Sequence, residues 1–110
     1  MENQILIGGY RKILPSNILM LKADANYTIT YLVDGTQFLS ATTLGILEER
    51  LRDFNFYRTH RSTLINLNYI PIMNDIDYQS ELKLNNSICV QIARRKLPEF
   101  IKKLNNMAIV

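Results

Sequence analysis

The alternating run over residues 27–33 is the feature that most limits what this chain can fold into. Strand-favouring side chains, aromatic or β-branched, stand at every second position: Tyr27, Ile29, Tyr31 and Val33. A period of two predicts a β-strand with two unlike faces. Asp34-Gly35 follows directly, and both residues tolerate a positive φ angle, which favours a two-residue hairpin turn. The sequence therefore predicts a β-hairpin whose return strand covers residues 36–41.

Two other segments change to helical spacing. The apolar positions of the first are Leu44, Leu47 and Leu51. Those of the second, at the end of the chain, are Leu97, Phe100, Ile101 and Leu104. Thr42 or Thr43 is placed to cap the first helix. Pro98 falls in the first turn of the second helix, where a missing backbone N–H is tolerated.

Short apolar runs bounded by turn residues predict further strands. They cover residues 5–7, 10–14, 18–22, 63–66, 69–73 and a second hairpin of residues 81–84 with 88–92. Pro71 marks a sheet edge or a strand end, and Phe54, Phe56 and Tyr57 form an aromatic cluster expected to pack. Because 110 residues is a common size for one domain, we predict a single domain over residues 1–110. Its fold is predicted to be mostly β with two short helices.

The distribution of charge says more than its total. The net charge is +3, whereas residues 94–103 alone carry +4, so the remainder of the chain carries −1. Positive charge gathered on one element is typical of a polyanion binder, although a solvated helix face accounts for a basic stretch equally well.

Residues 56–66 contain the most informative motif of the chain. Within it, His60 and Arg61 offer two planar donor groups side by side, which suits a base edge or a phosphate better than a catalytic site. A metal site is not indicated, since there is no second histidine and Cys89 belongs to another motif. A further basic cluster, Arg94–Lys96, opens the last predicted helix, where backbone N–H groups also favour anions. Together the two clusters predict nucleic-acid binding.

Composition and motifs exclude several other classes. One cysteine allows no intrachain disulfide. No segment reaches the roughly 20 apolar residues of a membrane span, and the first residues lack the pattern of a secretory signal, so the expected compartment is the cytoplasm. The chain has no glycine-rich phosphate loop and no paired carboxylates near His60. We therefore expect no enzymatic activity, no cofactor and no metal.

Several motifs, in order over residues 8–104, resemble a LytTR-type DNA-binding domain. They are residues 18–28, the Asp34-Gly35 turn, the leucine helix of residues 44–51, residues 56–66, and Arg94-Arg95. The Arg-x-His-Arg-Ser core at residues 58–62 is the most specific of them. The resemblance implies an elongated fold of small antiparallel β-sheets whose loops contact bases. It also implies a bacterial transcription regulator, either the output domain of a two-component response regulator or a stand-alone regulator, with no receiver domain among these 110 residues.

The resemblance implies partners as well. The first is double-stranded promoter DNA, bound at imperfect direct repeats through loops in successive major grooves. A homodimer on the DNA, and a sensor kinase or receiver domain in the full system, are also implied.

The DNA contacts carried over from the family fall in three places. Arg61 matches a base-contacting position, with pairing to Asp53 or Glu49 as the alternative. His60 either donates to DNA or locks the local loop against backbone carbonyls. Ser62 belongs to the same motif and is included in the predicted site.

The other two places are the loop near residue 26 and the late basic cluster. Asn26 is assigned to adenine recognition or to turn formation, and Tyr27 to stacking. Arg94 is assigned to a base, and Arg95 and Lys96 to phosphates. The remaining lysines of the last helix are expected to be solvated.

Three departures from the family pattern leave a second function open. Lys22 stands where an acidic residue is common, Ala25 where a glycine is common, and Ala93 where a serine often caps the helix. These departures favour, as the alternative, a β-rich protein-interaction module of the same fold that does not bind DNA.

Overall fold

The computed structural model of the chain describes residues 3–69, 81–83 and 89–108. Its strands are β1 (Ile5–Gly8), β2 (Arg11–Ile13), β3 (Ile18–Asp24), β4 (Tyr27–Leu32), β5 (Gln37–Ser40), β6 (Phe56–His60), β7 (Thr63–Asn66), β8 (Glu81–Lys83) and β9 (Cys89–Gln91). Its helices are α1 (Leu44–Arg50) and α2 (Leu97–Ala108), and short 3-10 turns cover Pro15–Asn17, Leu67–Tyr69 and Arg94–Lys96. The predicted mostly β fold with two helices is confirmed.

Strand β3 is the centre of the described architecture. It lies in the middle of a five-stranded antiparallel sheet with the order β5-β4-β3-β7-β6. Its first four residues are all buried, as expected of a strand that is covered on both faces and reads as a continuous apolar run. The β1–β2 and β8–β9 pairs form two further small antiparallel sheets.

The two faces of the five-stranded sheet carry separate apolar clusters. Adjacent residues of a regular strand point to opposite faces, so Met20 and Leu21 enter different clusters, as do Leu64 and Ile65. Met20 and Ile65 pack in one cluster with Phe100 of α2. Leu21 and Leu64 pack in the other, which includes the leucines of α1. The leucines at helical spacing, Leu44, Leu47 and Leu51, are all buried in this core.

The β4–β5 turn differs from the predicted two-residue form. The N–H of Leu32 donates to the carbonyl of Thr36 at 2.8 Å, so the loop has three residues, 33–35. Gly35 has φ +92°, the left-handed conformation that such loops require of one residue. As a result β5 begins at Gln37, one residue later than predicted.

Three other predictions meet the structure in part. Thr43 precedes α1 in extended conformation, but its hydroxyl makes no capping bond. The predicted second hairpin is present as the β8–β9 pair, with residues 84–88 outside the described part. The predicted strand over residues 69–73 lies outside the described residues except for Tyr69, which ends a 3-10 turn.

Candidate functional site

Two of the three segments assigned to DNA lie side by side at one end of the sheet. The first turn, residues 25–26, joins β3 to β4 where Asp24 pairs with Tyr27. The second turn, residues 61–62, joins β6 to β7. The N–H of Ala23 donates to the carbonyl of Ser62 at 2.8 Å, which places the second turn beside the first. Since neighbouring strands lie about 4.8 Å apart, the axes of the two hairpins are about 10 Å apart.

The third segment reaches the same end from a distant part of the sequence. Strand β6 has a β-bulge between Arg58 and His60, and the register leaves Thr59 without a partner on β7. The carbonyl of Thr59 instead accepts the N–H of Ala93 at 2.6 Å. The third turn, Arg94–Lys96, follows directly. The structure therefore brings all three predicted segments to one end of the sheet, called here the turn end.

The first turn has a strained backbone. Ala25 has φ +53°, a conformation that only glycine adopts without cost. Asn26 and Tyr27 are exposed, and Tyr27 keeps 49% of its surface accessible although it is aromatic. An exposed amide and an exposed aromatic ring are suited to hydrogen bonding and stacking on nucleic acid.

His60 takes part in a local hydrogen-bond network with Ser62. The Nδ1 atom of His60 lies 2.8 Å from the Ser62 hydroxyl and accepts the Ser62 backbone N–H at 3.2 Å. An acceptor role for Nδ1 puts the proton of the neutral ring on Nε2. His60 is thus bonded within the second turn through the Ser62 hydroxyl and N–H rather than through the backbone carbonyls that were predicted, and the tautomer still offers Nε2–H as a donor.

Arg61 is exposed, and within the described residues its guanidinium has no ion pair. The alternative partners are not used by it: Glu49 pairs with Arg52 at 2.9 Å, and Asp53 forms no described ion pair. Arg61 is therefore presented at the tip of the second turn with its side chain unengaged by the described part of the protein.

Arg58, which the sequence did not assign to the site, holds the second turn in place. Its Nε donates to the carbonyl of His60 at 3.1 Å, and its Nη2 donates to the carbonyl of Arg61. Its Nη1 donates to Glu48 of α1 at 2.7 Å. The guanidinium thus joins the turn to a helix on one face of the sheet.

The three cations of the third turn have unlike surroundings. Arg94 and Arg95 are exposed. Lys96 is half-buried and its Nζ donates to the carbonyl of Arg58 at 2.8 Å. These residues form a 3-10 turn that precedes α2, rather than the start of α2 itself, and no side chain caps this turn at Ala93.

Tyr57 packs beneath the third turn. Its ring stacks on Phe100 with centroids 5.8 Å apart, and the ammonium of Lys96 lies 5.9 Å from its centroid. Burial, and secondarily the carboxylate of Glu99, raises the pKa of the Tyr57 hydroxyl above its usual 10.0. Tyr57 is therefore neutral and packs in the core, as predicted for this tyrosine.

Lys22 is a further cation at the turn end. It is exposed and pairs in register with Thr63 and Ile29, one residue from Ala23. Residues 22–27, 60–63 and 93–96 together contain five cations and a single carboxylate, Asp24. The turn end is therefore the positive end of the sheet.

The described structure also has clefts away from the turn end. A cleft of about 430 Å³ is lined by residues 31–37 around the β4–β5 turn, at the opposite end of the sheet. The described residues contain no group of three side chains able to hold a metal ion. No helix in the described ranges is long and apolar enough to cross a membrane.

Comparisons with known proteins bear on the family and the fold of the chain. Residues 8–105 match the family model of the LytTr DNA-binding domain. Among solved structures, the chain is similar to the LytTr DNA-binding domain of a protein described as a methyl-accepting/DNA response regulator from Bacillus cereus, with a TM-score of 0.69, 23% sequence identity and 94% of each chain covered. No curated protein matches the chain in sequence.

Proposed function

The chain belongs to the LytTr DNA-binding domain family, and from this premise we propose that it is a sequence-specific DNA-binding transcription regulator of bacteria. It acts in the cytoplasm without enzymatic activity or cofactor. It is the output domain of a two-component response regulator or a stand-alone regulator. Its target is promoter DNA with imperfect direct repeats, on which two copies bind. A sensor kinase or receiver domain supplies the input signal.

One observation carries this proposal: three turns from separate parts of the sequence lie at the same end of one sheet, and two of them present exposed arginines. The first two are about 10 Å apart, comparable with the roughly 12 Å width of a major groove. Separate protruding turns suit contact with base edges better than a flat basic surface would, because phosphates alone carry no sequence information.

We assign roles by exposure and chemistry. Arg61 and Arg94 contact bases, for which the planar fork of arginine is suited. Arg95 contacts phosphate. Asn26 contacts a base edge, and Tyr27 packs against the sugar or a base.

The three remaining residues of the predicted site are His60, Ser62 and Lys96. Each makes hydrogen bonds within the protein that indicate its role. His60 and Ser62 fix the second turn, and the Nε2–H of His60 is the donor left for DNA. Lys96 was assigned to a phosphate, and that assignment stays a prediction. Its bond to the Arg58 carbonyl favours a role in holding the third turn.

The test is sequence discrimination with and without the Arg61 side chain. Duplexes that bind the purified chain are selected from a random-sequence pool, and fluorescence anisotropy then gives Kd for a selected duplex and for its scrambled version. Arg61→Ala is expected to reduce the ratio of the scrambled-duplex Kd to the selected-duplex Kd by about 5- to 150-fold, equivalent to about 1–3 kcal/mol.

Arg52→Ala is the matched control. It also removes one exposed arginine, but one paired to Glu49 at the end of α1, and it is expected to leave the ratio unchanged. If the wild-type chain binds selected and scrambled duplexes equally, it is not a sequence reader. If it discriminates and Arg61→Ala does not change the ratio, Arg61 is not the contact.

A protein-interaction module is the second candidate, and the edge of β5, which pairs only with β4 among the described residues, favours it. β5 ends the five-stranded sheet, and its Leu39 is 58% exposed. Such an edge is the kind to which an extended peptide can add a strand. Equal and weak binding to every duplex in the experiment above would favour this candidate.

A further inference from the structure

Arg58 has three acceptors for its guanidinium, two of which are backbone carbonyls of the second turn. Those carbonyls belong to His60 and Arg61, and the third acceptor is the Glu48 carboxylate of α1. The Arg58 side chain is only 21% exposed, whereas that of Glu48 is 44% exposed. Arg58 therefore faces the protein, and its charge is already paired.

The bulge in β6 explains why the second turn needs a side-chain donor. Regular ladder pairing is interrupted between Arg58, which pairs with Leu64, and His60, which pairs with Thr63. An interrupted ladder holds the following turn less firmly than a regular one. The rigid fork of Arg58 supplies hydrogen bonds to both carbonyls that flank the Cα of Arg61, which a lysine could not supply in the same geometry.

We propose that Arg58 and Glu48 are positioning residues that set the conformation of the second turn, so that a carboxylate on α1 controls sequence discrimination by Arg61 without touching DNA. The proposal rests on the DNA-reading function proposed above. Neither residue contacts bases in this scheme: Arg58 is committed to the protein, and Glu48 would repel phosphate if it approached DNA.

Glu48→Gln distinguishes a positioning role from a general electrostatic effect, because the two predict opposite changes in affinity for the selected duplex. Glu48→Gln removes one negative charge, so general electrostatics predicts tighter binding to every duplex. Positioning predicts the opposite for the selected duplex, because the weaker hold on Arg58 loosens the turn that carries Arg61. Glu49→Gln is the matched control, since it makes the same charge change one residue away and its carboxylate pairs with Arg52 instead.

The experiment measures the ratio of scrambled to selected Kd values by anisotropy for wild type, Glu48→Gln, Glu49→Gln and Arg58→Lys. We expect Glu48→Gln to lower the ratio about two- to fivefold, Arg58→Lys to lower it about tenfold, and Glu49→Gln to leave it unchanged. Circular dichroism at the binding temperature confirms that each variant is folded, and Glu48→Gln retains a carbonyl acceptor so that folding is preserved.

A double-mutant cycle tests whether the effect acts through Arg61. In the Arg61→Ala background, Glu48→Gln is expected to have no effect on the ratio, because the side chain being positioned is absent. A salt series adds a second readout, the slope of log Kd against log salt concentration. If Arg58 contacts phosphate directly, Arg58→Lys retains this slope and Arg58→Met lowers it by about 0.9. If Arg58 only positions the turn, the slope is the same in both variants.

The outcomes distinguish this proposal from the one on which it rests. If wild type does not discriminate between duplexes, the proposed function fails. If wild type discriminates and Arg61→Ala abolishes this, but Glu48→Gln raises affinity for both duplexes equally, only the positioning proposal is overturned. An undiminished Glu48→Gln effect in the Arg61→Ala background also overturns it.

Discussion

The backbone N–H of Ala93 donates a hydrogen bond to the carbonyl oxygen of Thr59 across 2.6 Å. Thr59 is the extra residue of the β6 bulge, so its carbonyl is free of the β6–β7 ladder and available to a distant segment. This bond fixes the third turn beside the second. Two basic clusters separated by more than thirty positions in the sequence are thereby held side by side.

The neighbouring cations Arg95 and Lys96 are predicted to behave differently when their charges are removed. Arg95 is exposed, so Arg95→Met is expected to lower the slope of log Kd against log salt concentration by about 0.9, the value for one phosphate contact. Lys96 donates to the Arg58 carbonyl, so Lys96→Met is expected to leave the slope unchanged and to lower the free energy of unfolding by about 1 kcal/mol.

Anisotropy across a salt series and urea unfolding measure these two quantities. The variants serve as each other's control, because both replace a long cationic side chain with methionine at adjacent positions. If both variants lower the salt slope equally, Lys96 contacts a phosphate, as predicted from its position in the sequence.

For His60, two amide substitutions separate the locking role from the donor role. The side-chain oxygen of asparagine can occupy the position of Nδ1, so His60→Asn is expected to keep the bond from the Ser62 N–H and most of the sequence discrimination. Glutamine places its amide near the position of Nε2, so His60→Gln is expected to lose about 1 kcal/mol of stability and the ordered turn. Thermal unfolding measures the stability of each variant, and anisotropy measures its sequence discrimination. If His60→Gln retains more of both than His60→Asn, the Nε2 donor has the principal role.

The elements that the sequence predicted best are those with a local pattern. The alternation of residues 27–33 and the leucine spacing of residues 44–51 each lie within one element, and each became a strand or a helix. Residues 56–60 gave no such signal. Their strand, β6, has Phe56 and Arg58, both half-buried, at alternate positions. Because Arg58 is charged, the hydrophobic pattern of these residues does not indicate a strand. In the structure an ion pair with Glu48 accommodates that charge.

The candidate site was predictable by its residues but not by its assembly. Exposed side chains such as Arg61 and Arg94 stand out in the motifs. Their meeting depends on the hydrogen bond between Ala93 and Thr59. The first turn joins them through the pairing of β3 with β7, in which Lys22 lies opposite Thr63. The paired residues of these two strands lie 41 to 45 positions apart in the sequence, and no local pattern encodes the pairing. The contacts of Arg58 with His60, Arg61 and Glu48 lie within ten positions of the sequence, but they follow no helix or strand spacing, so they emerged only from the structure.

The β4–β5 turn predicts a dependence of stability on pH. The Thr36 hydroxyl, at 2.6 Å, and then the Thr36 backbone N–H, at 2.9 Å, lower the pKa of Asp34 below its usual 3.8. A lowered pKa means that the folded state favours the charged carboxylate, so the stabilisation is present above pH 3.8 and is lost as the pH falls through the folded value. Wild type is therefore expected to be more stable than Asp34→Asn at pH 7, with the difference closing in acid.

Urea unfolding of both proteins at pH 7 and near pH 2 measures that difference, and NMR titration of the Asp34 carboxyl gives its pKa directly. The effect is expected to be small because Asp34 is fully exposed. A measured pKa at or above 3.8, or a difference in stability that grows in acid, would contradict the assignment.

Ala25→Gly is predicted to stabilise the protein while leaving its DNA contacts in place. Ala25 adopts φ +53°, and a left-handed conformation costs a residue with a Cβ about 1–2 kcal/mol. Glycine removes this cost but loses about 0.5–1 kcal/mol through the greater freedom of the unfolded chain. The net gain in the free energy of unfolding is therefore expected to be about 0.5 kcal/mol, measured by urea denaturation. Ala23→Gly, in the neighbouring strand β3, is the control and is expected to destabilise. If Ala25→Gly destabilises as well, the first turn does not hold residue 25 in the left-handed region in solution.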